Sequence, residues 1–263
     1  MGVLDDKVAV VTGAGSGLGR ASAHALAAAG AVVVVSDVDD AGGEATADAI
    51  VAHGGAARFV HCNVAVASDC EALVDTVRRD YGALHVLHNN AGVAWPGRDG
   101  FAPNASIEAW DQVIAINLSG TFYCCHFAVP LMAESGGGSI INTASSMATL
   151  PLGGLDGYAA SKGGVALLTK SMAPEAGRLN IRVNAIGPGY VDTPMNAVIW
   201  GIDSVKHGFD LGHATGLQDP DEIADLVVFL ASDASRSLTG ALLTCDRGWT
   251  AFKQPDVLRE FGA

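Results

Sequence analysis

Short apolar runs rich in β-branched residues alternate along this chain with longer stretches of helical character. The runs predict strands at Lys7–Thr12, Ala31–Ser36, Ala56–Cys62, Leu84–Asn89, Gly138–Ala144, Ile181–Ala185 and Ala241–Thr244, with helices in the intervals. That alternation is the pattern of right-handed strand–helix–strand crossovers. The fold class it predicts is α/β, a doubly wound Rossmann-type parallel sheet of about seven strands with helices on both faces. Ser68-Asp-Cys-Glu71 has the form of a capping box, and Pro220-Asp-Glu-Ile opens a helix whose first turn is acidic. Two stretches break the regularity. Ala94–Ala105 is rich in Gly and Pro, and Met195–Gly216 has no clean period, so both read as loops beside a site.

No linker composition and no internal repeat interrupts the chain, so residues 1–263 read as one domain, with a substrate loop at about 195–216 and a tail at 250–263. An apolar fraction of 49% with 33 glycines and 16% charged residues describes a globular protein with many tight turns. The 28 acidic residues against 15 basic ones give a net charge of −13, and the basic residues are scattered, which excludes nucleic acid as an expected partner. The most apolar stretch, Ala21–Val35, is interrupted by Ser22, His24 and Gly30 and falls short of the ~20 residues a spanning helix needs, so no membrane partner is expected. The start of the chain lacks a secretion pattern, and Asp6 stands where a myristoylation signal wants Ser or Thr; a cytoplasmic location is the expectation. Cys62, Cys70, Cys124, Cys125 and Cys245 form no CxxC pair and leave one over, so they predict buried thiols rather than a disulfide frame or a metal site.

Chemistry enters with Thr12-Gly-Ala-Gly-Ser-Gly-Leu-Gly19, which follows the first apolar run. Its glycines, Gly13, Gly17 and Gly19, are spaced TGxxxGxG rather than GxGxxG. Glycine there lets backbone N–H groups approach a dinucleotide pyrophosphate at a helix start, although a glycine run alone also fits a bare tight turn. Asp37 closes the second strand, where a carboxylate accepts hydrogen bonds from the adenine-ribose hydroxyls; a solvated loop aspartate is the plainer reading. Beside Ser16 and Val38 no Arg or Lys is placed to hold a 2′-phosphate, so the expected cofactor is NAD(H) rather than NADP(H). Tyr158 and Lys162 lie one helical turn apart and share a face. A phenol titrates near pH ~10, and a neighbouring ammonium favours its phenolate. The pair points to hydride transfer with proton exchange at an alcohol or carbonyl.

Taken with Asn89-Asn-Ala-Gly92, Asn117 in Ile116-Asn-Leu-Ser-Gly, Ser145 in Ile141-Asn-Thr-Ala-Ser-Ser and Gly187-Pro-Gly-Tyr-Val-Asp-Thr193, these motifs resemble the classical short-chain dehydrogenase/reductase family over nearly the whole chain. The resemblance implies Tyr158 as general acid/base, Lys162 as the group that lowers its pKa and binds the nicotinamide ribose, Ser145 as the hydroxyl that polarises the substrate carbonyl, and Asn117 as the end of a proton relay. Ser146 is the fallback for Ser145. It further implies a cofactor site of Gly13, Ser16, Gly17, Leu18, Gly19, Asp37, Asn63, Val64, Asn90, Tyr158, Lys162, Val191 and Thr193, with no metal, in a homo-oligomer, a tetramer.

Two departures stand out. Asn63-Val64 replaces the family's Asp-Val, leaving an amide oxygen to meet the adenine amino group. Asp246-Arg247-Gly248 replaces Asp-Gly-Gly, and Arg247 either pairs with a tail carboxylate such as Asp256 or Glu260 or stays solvated. If the loops follow the family, Trp95, Leu152, Leu155, Tyr190, Met195, Ile199 and Trp200 line the cleft, or several simply pack the interior. The few basic residues there, Arg98, Lys206, His207 and His213, favour a small neutral alcohol or ketone, cyclic or aromatic. The tail's Phe252, Val257, Leu258 and Phe261 suit docking on a neighbouring subunit or covering a cleft. The expected function is an NAD(H)-dependent oxidoreductase of secondary alcohols and ketones. The alternatives are a non-catalytic dinucleotide-sensing or scaffold protein, and an epimerase or dehydratase that regenerates its bound NAD.

Overall fold

The computed structural model describes residues 2–251, apart from the side chains of Val198 and Ile199. Seven strands form one sheet in the order β3-β2-β1-β4-β5-β6-β7, every neighbouring pair parallel. They are β1 (Val8–Thr12), β2 (Val32–Asp37), β3 (Ala56–His61), β4 (Val86–Asn89), β5 (Gly138–Thr143), β6 (Ile181–Pro188) and β7 (Leu242–Cys245). The chain builds outward from β1 to β3, then returns to place β4 on the other side of β1. At that reversal the loops leaving β1 and β4 part, and a crevice opens at the carboxyl ends of the strands.

The sheet is buried on both faces because helices cover both. One layer holds α1 (Gly17–Ala28), α2 (Asp40–Ala52) and α9 (Pro220–Ala231), whose Leu26, Ile50, Ile223 and Val227 pack with Val33, Val35 and Ile141 of the strands. The other holds α3 (Ala67–Tyr81), α5 (Gly120–Glu134) and α6 (Asp156–Gly177), where Leu73, Val77, Leu131 and Ala176 meet Val10, Leu87, Ile140 and Val183. Alternate residues of a strand serve opposite layers, so Ile140 belongs to one core and Ile141 to the other.

Strand positions follow the sequence pattern closely, with β6 running past its expected end to Pro188 because Gly187 and Pro188 still pair with Thr244 and Cys245. The capping box expected at Ser68–Glu71 is absent. α3 starts at Ala67 after Val66, so Ser68 already lies inside the first turn, while Asp69 accepts from the Asn63 N–H at 3.3 Å and ties the helix start to the end of β3. α9 starts as expected, with the Asp219 N–H donating to the Glu222 carboxylate at 3.3 Å. The stretch 195–216 is not a plain loop: it contains α7 (Ala197–Trp200) and α8 (Asp203–Gly212). No side chain of α8 is fully buried, so packing imposes little apolar period on its sequence. Ala94–Ala105 is irregular, with one tight turn at Ala102–Asn104.

α4 (Ile107–Ile114) continues into α5 through a π turn at Ala115–Ser119. The joined helix, Ile107–Glu134, is long and apolar enough by composition to cross a membrane, which the Ala21–Val35 stretch is not. Its apolarity has an internal use, since Cys124, Cys125, Ala128, Leu131 and Met132 are buried in the core beside α3.

Ile141 has no exposed surface and sits mid-strand between His88 of β4 and Asn184 of β6. Ile141→Ala is expected to cost about 2–5 kcal/mol of stability through lost transfer energy and the cavity left behind. A denaturant midpoint that falls with an unchanged slope is the expected reading.

Candidate active site

Between β1 and α1 the chain makes the glycine turn. Gly17 adopts φ 51°, a left-handed value that side chains disfavour, and Gly19 packs so closely that a Cβ there would stand 2.1 Å from the Gly13 carbonyl oxygen. The N-cap Ser16 makes no side-chain cap and the first turn of α1 carries no acidic residue, so its N–H donors are left for an anion. The turn is pinned from β4: Asn90 Nδ2 donates to the carbonyls of Thr12 and Gly13 at 3.0 and 3.1 Å, and Thr12 Oγ1 accepts from the N–H groups of Asn90 and Ala91. Asn90, one of the residues of the expected cofactor site, walls the cavity, but its amide nitrogen is engaged beneath the turn.

Asp37 lies where expected. One oxygen accepts from the Gly15 N–H at 2.7 Å and the other from the Asp39 N–H at 2.9 Å, which orients the carboxylate at the cavity edge. Arg20 is the nearby cation, but its guanidinium donates to the Gly15 carbonyl and to Thr46 Oγ1, and it is not part of the cavity wall. Asn63 and Val64 form the adjoining wall. The Asn63 amide oxygen accepts from the Ala65 N–H at 3.1 Å, a local turn bond that directs it along the chain.

Across the crevice, Tyr158 and Lys162 share the buried face of α6. Lys162 Nζ donates to the Thr143 carbonyl at the end of β5 at 2.7 Å and stands 5.7 Å from the Tyr158 ring centroid. Burial pulls the amine down to about 8. It also pushes the Tyr158 phenol above its ordinary value, opposed by a hydrogen bond with the Ser145 hydroxyl. Of these two effects on the phenol, desolvation is the larger. Ser145 Oγ also accepts from the Met147 N–H at 3.1 Å. Ser146 is buried in the same wall, but the phenol's partner is Ser145.

Asn117 occupies the π turn and is fully buried. Its oxygen accepts from the Val93 N–H at 2.8 Å, and its nitrogen donates to the Val93 carbonyl and to Ser161 Oγ, both at 3.0 Å. Ser161 Oγ donates in turn to the Tyr158 carbonyl at 2.7 Å. A Cβ on Gly92 would lie 3.2 Å from Lys162 Nζ and 3.3 Å from Asn117 Oδ1, so both groups border the same small gap.

One cavity connects these parts, from Asp37 and Asn63 past the glycine turn to Ser145, Tyr158 and Lys162. Val191 and Thr193 lie on its wall, as do Gly13, Ser16, Gly17 and Leu18, whereas Gly19 acts from behind through its packing on Gly13. Of the expected cleft residues, Leu155, Tyr190 and Met195 line it; Trp95, Leu152 and Trp200 do not, and the Ile199 side chain lies outside the described residues. Trp95 instead lies under Arg98, and Trp200 packs with Tyr190 and Phe209. His213 is buried, bonded to the Phe209 carbonyl and the Tyr190 N–H, while Lys206 pairs with Asp192.

Arg247 is bonded rather than solvated. It donates to the carbonyls of Thr215 and Leu217 and to Glu222, and it adopts φ 44° where the family resemblance has glycine. The suggested partners Asp256 and Glu260, and the apolar tail residues, lie outside the described residues. Among the described residues no cluster of His, Cys, Asp and Glu is placed to hold a metal ion.

The sequence motifs include Thr12 and Thr143 without showing what the hydroxyl of the one and the carbonyl of the other hold, and they leave out Asp99. This aspartate is only 1% exposed, and its two oxygens accept from the N–H groups of Gly157 and Tyr158 at 2.9 and 2.7 Å. Only the fold joins residues so far apart in the chain.

A family model described as enoyl-(acyl carrier protein) reductase matches residues 13–250. The cyclohexanol dehydrogenase of Acinetobacter sp. (strain SE19) is 40% identical over 249 residues, covering 94% of this chain and 96% of that protein. The D-threitol dehydrogenase of Mycolicibacterium smegmatis is 42% identical over 250 residues, 94% of each. Among solved structures, the crystal structure of gox2181 superimposes with a TM-score of 0.90 at 30% identity, covering 95% of this chain and 97% of that one.

The buried amine sets a stability signature. Lys162 titrates at about 8 in the fold against an ordinary 10.5, so below pH 8 the folded protein carries a desolvated ammonium, and between those values the unfolded chain binds more protons than the folded one. Stability should therefore rise with pH across that window. Lys162→Met is expected to be more stable than wild type at pH 7, with the gap closing towards pH ~10. Denaturant midpoints of both proteins at the two pH values check this.

Proposed function

The chain belongs to the short-chain dehydrogenase/reductase family, and from that premise we propose that Tyr158 is the general acid/base of an oxidoreductase that interconverts a secondary alcohol and a ketone. The observation that carries this reading is the Tyr158 phenol bonded to Ser145, with Lys162 buried one turn further on, on the wall of the cavity that begins at Asp37. The substrate oxygen sits between the two hydroxyls. In oxidation Tyr158 takes the alcohol proton and Ser145 holds the oxygen as it becomes a carbonyl; in reduction the same phenol returns the proton. The bound nicotinamide supplies the hydride acceptor or donor. Lys162 holds the nicotinamide ribose and favours phenolate once the site is filled, and Asn117 ends the proton relay beside it.

The cofactor is NAD(H). Asp37 presents a carboxylate where the adenine ribose lies, and Arg20 is turned to Gly15 and Thr46, so a 2′-phosphate meets repulsion without a compensating cation. The backbone N–H groups at the start of α1 hold the pyrophosphate. Beyond Tyr158 the wall is formed by Val93, Pro96, Met147, Leu155 and Met195, and among the described residues Lys162 is its only ammonium or guanidinium. That lining suits a compact neutral alcohol, cyclic or polyhydroxylated, as the cyclohexanol and D-threitol enzymes' names indicate for those proteins. The dehydrogenase relatives do not favour a scaffold role or a self-regenerating epimerase or dehydratase.

The exposed Ile107, Phe122 and Leu167 on α4, α5 and α6 support burial against further copies of the chain in a homotetramer. The five unpaired thiols fit a cytoplasmic location.

Reduced-nicotinamide absorbance across secondary alcohols, with NAD and NADP in parallel, tests the reading. Wild type is expected to accumulate NADH, with a rate that rises with pH because burial holds the phenol protonated at neutrality. Tyr158→Phe should lose roughly 10²–10⁴-fold in kcat while keeping NADH affinity; substantial residual turnover would overturn the assignment. Asp37→Ser should narrow the preference for NAD over NADP and also weaken NADH binding, since the same carboxylate orients Gly15. An unchanged preference would show that Asp37 does not read the ribose.

A further inference from the structure

Tyr158 is the third residue of α6, inside the turn where a helix frays first. The residue that ordinarily secures such a turn is the N-cap, whose side-chain oxygen accepts from the second or third helical N–H. Here the N-cap is Leu155, which has no such oxygen. The second and third N–H groups belong to Gly157 and Tyr158, and both are taken by the two oxygens of Asp99, at 2.9 and 2.7 Å. The carboxylate is 1% exposed, and a Cβ on Gly157 would lie only 3.1 Å from it. Its charge faces the positive end of the helix, which favours the contact.

The segment that carries Asp99 is itself held beside the cavity. Asn117 clamps Val93 through both N–H and carbonyl, and Val93, Ala94 and Pro96 are cavity wall. Asp156 accepts from the Ala102 N–H at 2.9 Å, a second tie between this segment and the start of α6. Of the ties between this segment and α6, the one from Asp99 is made to the Tyr158 N–H itself.

We propose that Asp99 is a positioning residue: it caps α6 from another part of the chain and so fixes where the Tyr158 phenol stands relative to Ser145 and the substrate oxygen. This inference rests on Tyr158 being the acid/base. Small displacements of a reacting group are enough to cost up to about 10²-fold in rate, so the effect should appear in kcat.

The test compares Asp99→Ala, Asp99→Asn and Asp156→Ala with wild type in steady-state alcohol oxidation, with NADH affinity from nicotinamide fluorescence and thermal midpoints. Asp99→Ala is expected to lower kcat at least about tenfold while KM and NADH affinity stay within about twofold, the pattern of an interaction felt in the transition state. Asp99→Asn, which keeps one acceptor, should fall between, and it carries the test if the alanine variant does not fold. Asp156→Ala removes the neighbouring tie alone and should leave kcat near wild type. An unaltered kcat in both Asp99 variants would overturn the proposal. So would a loss shared equally by KM and NADH affinity, or an equal loss in Asp156→Ala. Wild type that binds NADH yet oxidises no alcohol would instead sink the oxidoreductase reading and this inference with it.

Discussion

A lysine amine sealed under a phenol is the constraint to which the rest of the site conforms. An ammonium out of water is costly unless it is bonded, and its acceptor is the carbonyl of Thr143 at the end of β5, one residue past Asn142, where the pairing with β4 stops. That places the end of β5, the face of α6 and the depth of the crevice in register with one another. It also explains why both groups depart from their solution behaviour: the same dry surroundings draw the amine down and push the phenol up.

The polar interior around it is continuous rather than scattered. Asn89 donates to Asn142, and Asn142 to Thr169 of α6, both at 2.9 Å, so amides link β4, β5 and the helix that carries Tyr158. Thr12 and Asn90 fasten the glycine turn to the end of β4. Asn117 fastens Val93 to Ser161 and, through it, to the Tyr158 carbonyl. Buried polar groups need partners, and here the partners are residues whose positions the site requires. The same network that satisfies the interior also sets the geometry of the crevice.

Sequence and structure part company in instructive places. The five inner strands, β1, β2, β4, β5 and β6, were legible because burial on both faces demands largely apolar runs. The glycine turn, Asp37, Tyr158 and Lys162 were legible because each is tied to a local feature, a strand end or a helical turn. Ser68 misled because a capping pattern says nothing about where tertiary contacts let the helix begin. The 195–216 segment misled for a different reason: α8 buries no side chain completely, so its sequence is under little periodic constraint. Trp95 and Trp200 are large and apolar, which draws attention to them in a loop, but neither reaches the cavity.

Periodicity and short-range spacing therefore carried the topology, the glycine turn and the pairing of phenol with amine, because these depend on residues within a few positions of one another. Packing in three dimensions settled what depends on distant partners: the carbonyl that receives Lys162, the desolvation that moves both pKa values, the anchoring of Arg247 on Glu222 and the loop carbonyls, and the capping of α6 by Asp99. Those contacts join segments tens of residues apart, and their energies come from burial and hydrogen-bond geometry that no linear pattern contains.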